Sequence, residues 1–248
     1  MKRIIFVAIL CAIITAPAAA DPSWAKVSAE LTGIGYTNVT NLTIDYSISQ
    51  VGVLDSLLNS ASDWKYGKPD TTASAVISTA SGLAKTGSLY VYADSIATPP
   101  PGVESVSGSL VEPSNSAWQR WTFTASADGP VTFTFDSDVT VALQTDLLGE
   151  EASGRYYVWL ALNNVVSGGW DMREMAPILT EVQDGVDYLE ALSDPFSVGL
   201  PFAAGQSGAL MMMVQTYASA NTVVPVPPAV LLGLLGLGAS AVRLRKHV

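Results

Sequence analysis

Val131-Thr132-Phe133-Thr134-Phe135-Asp136-Ser137-Asp138-Val139-Thr140-Val141-Ala142-Leu143 decides the fold. Val131, Phe133, Phe135, Val139, Val141 and Leu143 fall on one face of an extended chain, and Thr132, Thr134, Asp136, Asp138 and Thr140 on the other. A period of two with one apolar side is the signature of a half-buried β-strand. Just upstream, Trp121, Phe123 and Ala125 alternate with Thr122 and Thr124 in the same way. Asp128-Gly129-Pro130 between the two runs is turn chemistry, so residues 118–143 are predicted to form a β-hairpin.

Working outward, residues 26–31, 41–48, 73–79, 88–93, 156–162, 176–180, 196–200 and 209–217 read as further strands. Helical periodicity is weak, and 53–59 and 186–192 are the two short candidates. Pro99-Pro100-Pro101-Gly102 is a firm break and a candidate division between two halves, and no internal repeat is evident. The expected class is all-β: a two-sheet antiparallel sandwich, jelly-roll or immunoglobulin-like, between an N-terminal signal peptide and a C-terminal transmembrane helix.

Both ends carry export signals. Lys2 and Arg3 precede the apolar run 4–14, and Ala18-Ala19-Ala20 offers an Ala-x-Ala site before Asp21. That run is too short to span a bilayer and reads as a signal peptide, 1–20, cut between Ala20 and Asp21 by signal peptidase. At the other end, residues 223–242 carry no charge, and 229–242 are also free of proline. A helix of about 14–20 residues is close to the span of one hydrocarbon core. Arg243, Arg245 and Lys246 close the chain as a basic stop, which holds that end in the cytoplasm and the body outside. Residues 222–248 therefore form a separate tail after an exported domain, 21–221.

The order of Pro225, Pro227, Pro228 and Ala229, a glycine-studded apolar segment and a terminal basic cluster resembles the PEP-CTERM sorting domain of Gram-negative bacterial proteins. Val224-Pro225-Val226-Pro227-Pro228-Ala229 stands nearer the Val-Pro-Leu-Pro-Ala variant than the usual Val-Pro-Glu-Pro. The resemblance covers the tail alone. It implies an exosortase-type membrane protease as a partner, transient anchoring through the helix, and a destination at the cell surface or in an extracellular matrix with exopolysaccharide.

Composition narrows the chemistry of the body. Cys11 and His247 are the one cysteine and the one histidine, and both lie in the terminal segments. Residues 21–222 therefore hold no Ser-His-Asp or Cys-His nucleophile, no thiol redox pair, no disulfide, and no imidazole or thiolate metal site. Five of the 12 basic residues also lie in the ends, which leaves seven against 22 acids, a net of −15. Such a field opposes nucleic acid.

What remains is carboxylate chemistry and aromatic contact. Glu150, Glu151 and Glu174 are candidate glycosidase acids, although a spacing cannot show two carboxyls facing across a cleft. Asp136 and Asp138 share a strand face and, with Asp184, Asp187 and Asp194, are the candidates for a structural Ca2+; no other cofactor is implied. Trp64 in Trp64-Lys65-Tyr66-Gly67 and Trp170 in Gly168-Gly169-Trp170-Asp171 sit in loop-like stretches and are the candidate glycan contacts. Trp121 shares the register of Phe123 and belongs to the core, whereas Trp118 points outward if its strand reaches that far. Met211-Met212-Met213 reads as two-sided core packing. Asn38-Val39-Thr40 and Asn41-Leu42-Thr43 match a glycosylation sequon, to which little weight attaches. The expectation is a non-enzymatic exported surface or matrix protein; the alternative is a carbohydrate-binding module or a carboxylate-only glycosidase.

Overall fold

The alternation governs the structure, a computed structural model that describes residues 22–68, 70–108, 115–175 and 179–224. Ala18, Ala20, Asp21, Pro225, Pro227, Pro228, Ala229, Arg243, Arg245 and Lys246 lie outside the described residues, as does the expected transmembrane helix. Pro22–Val223 form one unit, so the proline run at 99–101 divides nothing. It is instead tied to the last strand's exit, where the Thr222 hydroxyl donates to Pro99 O and Gly102 N donates to Thr222 O.

Two antiparallel sheets make up the fold. The first runs β13 (Asp187–Phe202), β9 (Gly129–Gln144), β1 (Trp24–Thr37), β6 (Tyr90–Ala97), β5 (Ala80–Gly87), β4 (Thr72–Val76). The second runs β11 (Gly169–Met175), β10 (Glu151–Asn164), β14 (Ser207–Asn221), β7 (Glu104–Ser107), β2 (Val39–Asp55), β3 (Ser60–Gly67). β8 (Asn115–Ala125) shares the lane of β7 between β14 and β2, and β12 (Leu179–Gln183) shares the lane of β11 beside β10. Every alternate side chain of β8 and β9 is buried, and Phe123 of one meets Phe133 of the other edge-to-face at 5.3 Å.

That contact crosses between sheets, and it corrects the expected hairpin. β8 and β9 belong to different sheets, and Asp128-Gly129-Pro130 is part of an arch over the end of the sandwich. A hairpin would set the two apolar faces side by side on one surface; the arch sets them against each other and encloses both. Asn38 holds the arch shut, with its Oδ1 accepting from Ser126 Oγ at 2.7 Å and Ala127 N at 2.8 Å and its amide donating to Ala127 O at 2.9 Å. Asn38 itself lies between β1 and β2 at a positive φ of 60°, a left-handed conformation that asparagine tolerates better than most residues. The β13–β14 passage joins at the same end, where Ala204 N donates to Asp128 Oδ1 at 2.7 Å.

Three further expectations are revised. Both helix candidates are absent: 53–59 is the end of β2 and a turn around Asp55, and 186–192 opens β13. In each, strand pairing takes residues whose short-range pattern favoured neither state, β2 between β7 and β3 and β13 at the sheet edge on β9. The single strand expected at 73–79 is β4 followed by a tight return, with Ile77 N donating to Ala80 O. Of the strand expected at 176–180, residues 176–178 lie outside the described residues and β12 begins at Leu179.

Candidate functional site: the aromatic face of the second sheet

Residues directly opposite one another in an antiparallel pair present their side chains to the same face. One lateral row of the second sheet therefore runs Tyr66, Ile48, Trp118, Met213, Trp159, Glu174 through five pairings. Beside it run Tyr46, Arg120, Met211, Ala161 and Met172. On its other side lie Trp64, Gln50, Ser116, Gln215 and Tyr157. Their chain neighbours Ser47, Ser49, Ala117, Gln119, Met212, Val214, Val158 and Leu160 are buried, so these rows are the outward face. The corresponding face of the first sheet carries Thr134, Asp136, Asp138, Thr140, Ser28 and Glu30, with Tyr90 and Tyr92 near its middle and Trp24 and the exposed Leu189 toward one end. One side of the sandwich is thus mostly polar and acidic with scattered rings, whereas the other is methionine-bearing and carries its rings in contact.

Four rings of this face touch in succession. Trp64 stacks on Tyr66 at 6.4 Å and Tyr66 on Tyr46 at 6.1 Å, and Tyr46 meets Trp118 edge-on at 5.2 Å. Trp64 is 62% exposed and Tyr66 62%, so both rings are open to a ligand. Arg120 flanks the row, its Nε 3.6 Å from Asp45 Oδ2, and Asp45 also faces Lys68 Nζ at 3.8 Å. Further along, the Arg155 guanidinium lies 5.9 Å from the Tyr217 ring centre. Tyr157 donates to Glu174 at 2.9 Å; burial first and that carboxylate second push its phenol up to about 12, so it remains a donor at any physiological pH.

Trp64 and Trp170 both face outward, as the sequence suggests, but from edge strands rather than loops. They stand at opposite margins of the face, Trp64 on β3 and Trp170 on β11, opposite Asn163. Trp121 is in the core and donates to Gln119 Oε1 at 2.8 Å, whereas Trp118 is outward. The methionine run departs from two-sided packing: Met212 is buried, and Met211 and Met213 lie on the outer rows. Sequence reading missed Tyr46, Trp159, Met211 and Met213 as members of the face. The signal was present as odd-even parity against the buried residues, but only the pairing register gathers six strands into one surface.

The candidate acids are dispersed. Glu150 is fully buried in the β9–β10 turn, where Oε2 accepts from Asp146 N at 2.8 Å and Leu147 N at 3.0 Å. Glu151 pairs with Gln183 at the start of β10, and Glu174 lies opposite Trp159, eight residues along the same strand. At about 3.3 Å per residue the two are about 26 Å apart, beyond the ~5–9.5 Å that a glycosidase pair spans. Asp136 and Asp138 are exposed on the first sheet, with Glu30 opposite Asp138; Asp184 instead caps a turn, accepting from Gly149 N at 2.6 Å. Among the described residues no three His, Cys, Asp or Glu side chains are grouped to hold a metal ion. No protein-family model matches the chain, and no curated protein matches it.

Proposed function

We propose that the chain is an exported, non-enzymatic surface or matrix protein that holds extracellular polysaccharide on the aromatic face of its second sheet. The observation that carries this reading is the contiguous row Trp64, Tyr66, Tyr46 and Trp118, set on one side of a sandwich whose other side is mostly polar and acidic. Sugar rings offer apolar C–H faces that stack on such rings, while their hydroxyls bond the amides and hydroxyls between them. The dispersed acids favour holding over hydrolysis. Of the two sandwich types, a jelly-roll is favoured, because the chain passes between sheets at β1–β2, β8–β9 and β13–β14.

Delivery rests on the terminal segments: signal peptidase acting before Asp21, then an exosortase-type protease reading Pro225, Pro227, Pro228 and Ala229, with Arg243, Arg245 and Lys246 setting topology. The intact mass of protein from its host's envelope and medium tests this half. A species from Asp21 to the region 225–229 is the expected result; a membrane-bound species retaining Val248 would reduce the tail to a plain anchor. A polysaccharide pull-down tests the other half. Trp64→Ala and Trp118→Ala are each expected to weaken retention about tenfold, whereas Trp170→Ala, remote from the row, costs less. Retention indifferent to the first two changes would overturn the binding reading.

A further inference from the structure

Beyond the ring row, on whose polysaccharide reading this step rests, we infer that a pocket beside Trp64 receives one residue of a neutral glycan chain. The pocket, about 450 Å3, opens where β2 and β3 run together, and its volume falls within the range of small-ligand sites. Register explains why it exists. Gly52 lies opposite Ser62 and Leu54 opposite Ser60, so two strands that elsewhere carry rings here carry none, and at Gly52 no side chain at all. Trp64 forms the wall, opposite Gln50, and continues directly into the row through Tyr66.

The lining specifies the ligand's charge. Gln50, Ser60 and Ser62 offer an amide and two hydroxyls, each able to donate and to accept, which is what the hydroxyls of an uncharged sugar require. Among the described residues lining it, no basic side chain is present. The one ionised residue is Asp63, whose carboxylate is turned to the opposite face of β3, where it is held by Lys65 at 2.9 Å and by Ser74 N at 3.2 Å. A uronate or sulfate would find no cation among the described residues lining the pocket, on a body of net −15 (seven bases against 22 acids). Because β3 is the margin of its sheet, a long chain can enter from the side and continue across the rings.

Ser62 is exposed on that margin, so Ser62→Phe fills the pocket without disturbing the core; Ser60→Phe does so from the adjacent position. The full exported chain is assayed by affinity electrophoresis against laminarin, galactomannan and polygalacturonate at physiological salt, with circular dichroism as the folding check. Retention by at least one neutral polymer is expected, with polygalacturonate at least tenfold weaker and the folded filled variant losing about tenfold. Polygalacturonate held as tightly as the neutral polymers, or neutral binding unchanged in both filled variants, overturns the pocket inference and leaves the ring row standing. Retention of none of the three, with the protein self-associating instead, overturns the pocket and the polysaccharide reading together.

Discussion

Asn115 sits where four strands meet. Its amide donates to Asp94 O at 2.8 Å, Ser95 Oγ at 2.8 Å and Ser107 Oγ at 2.9 Å, and its Oδ1 accepts from Gly52 N at 3.0 Å. Gly82 exists to admit it, since a Cβ there would collide with the Asn115 amide and stand 2.7 Å from Val51 Cγ1. Asn115→Ala would strand buried partners in both sheets, and each such loss costs about 1–3 kcal/mol. Denaturant unfolding is expected to show at least about 2 kcal/mol of destabilisation; a loss under about 0.5 would contradict the account. Asp94 gives a second residue-scale test. Burial raises its carboxyl above the usual value, against the hydrogen bond from Tyr92, so the folded state binds its proton more readily than the unfolded state. Its ionised form therefore costs stability at neutral pH, and the cost is relieved as pH falls through the raised value. Asp94→Asn is expected to flatten the stability–pH slope just above the usual carboxylate range; an unchanged slope would contradict that assignment. None of this was legible beforehand. A sequence shows that Asn38, Asn115 and Gln119 are polar, but their value lies in partners 88, 21 and 72 residues away.

At the scale of elements, alternation was legible where one face is apolar, and pairing was not. Residues 131–143 read correctly as a strand with one buried face, as did Trp121 and Phe123. The same pattern is compatible with a hairpin or an arch, because both bury every second residue; the choice falls to Asn38 and Asp128, which clip three inter-sheet passages together. A double-mutant cycle on Phe123→Leu and Phe133→Leu separates the two. An arch with an edge-to-face contact predicts a coupling of about 0.5–1.5 kcal/mol, and independent, additive effects would refute it. Edge strands were the other blind spot. Trp64-Lys65-Tyr66-Gly67 looks like a loop because β3 alternates polar and aromatic residues with no apolar face of its own.

Over the whole molecule, the two sheets divide the labour: their inner faces supply one core and their outer faces differ in kind. The first sheet presents mostly Thr, Ser, Asp and Glu, while the second gathers Trp64, Tyr66, Tyr46, Trp118 and Trp159 with three methionines. This asymmetry follows from parity and register alone. Hydroxyl-radical footprinting of the protein with and without a retained polysaccharide tests it most directly, because every ring is read in one experiment. The account expects protection at Trp64, Tyr66, Tyr46 and Trp118 and none at Tyr90 and Tyr92; protection confined to the tyrosines of the first sheet would contradict it.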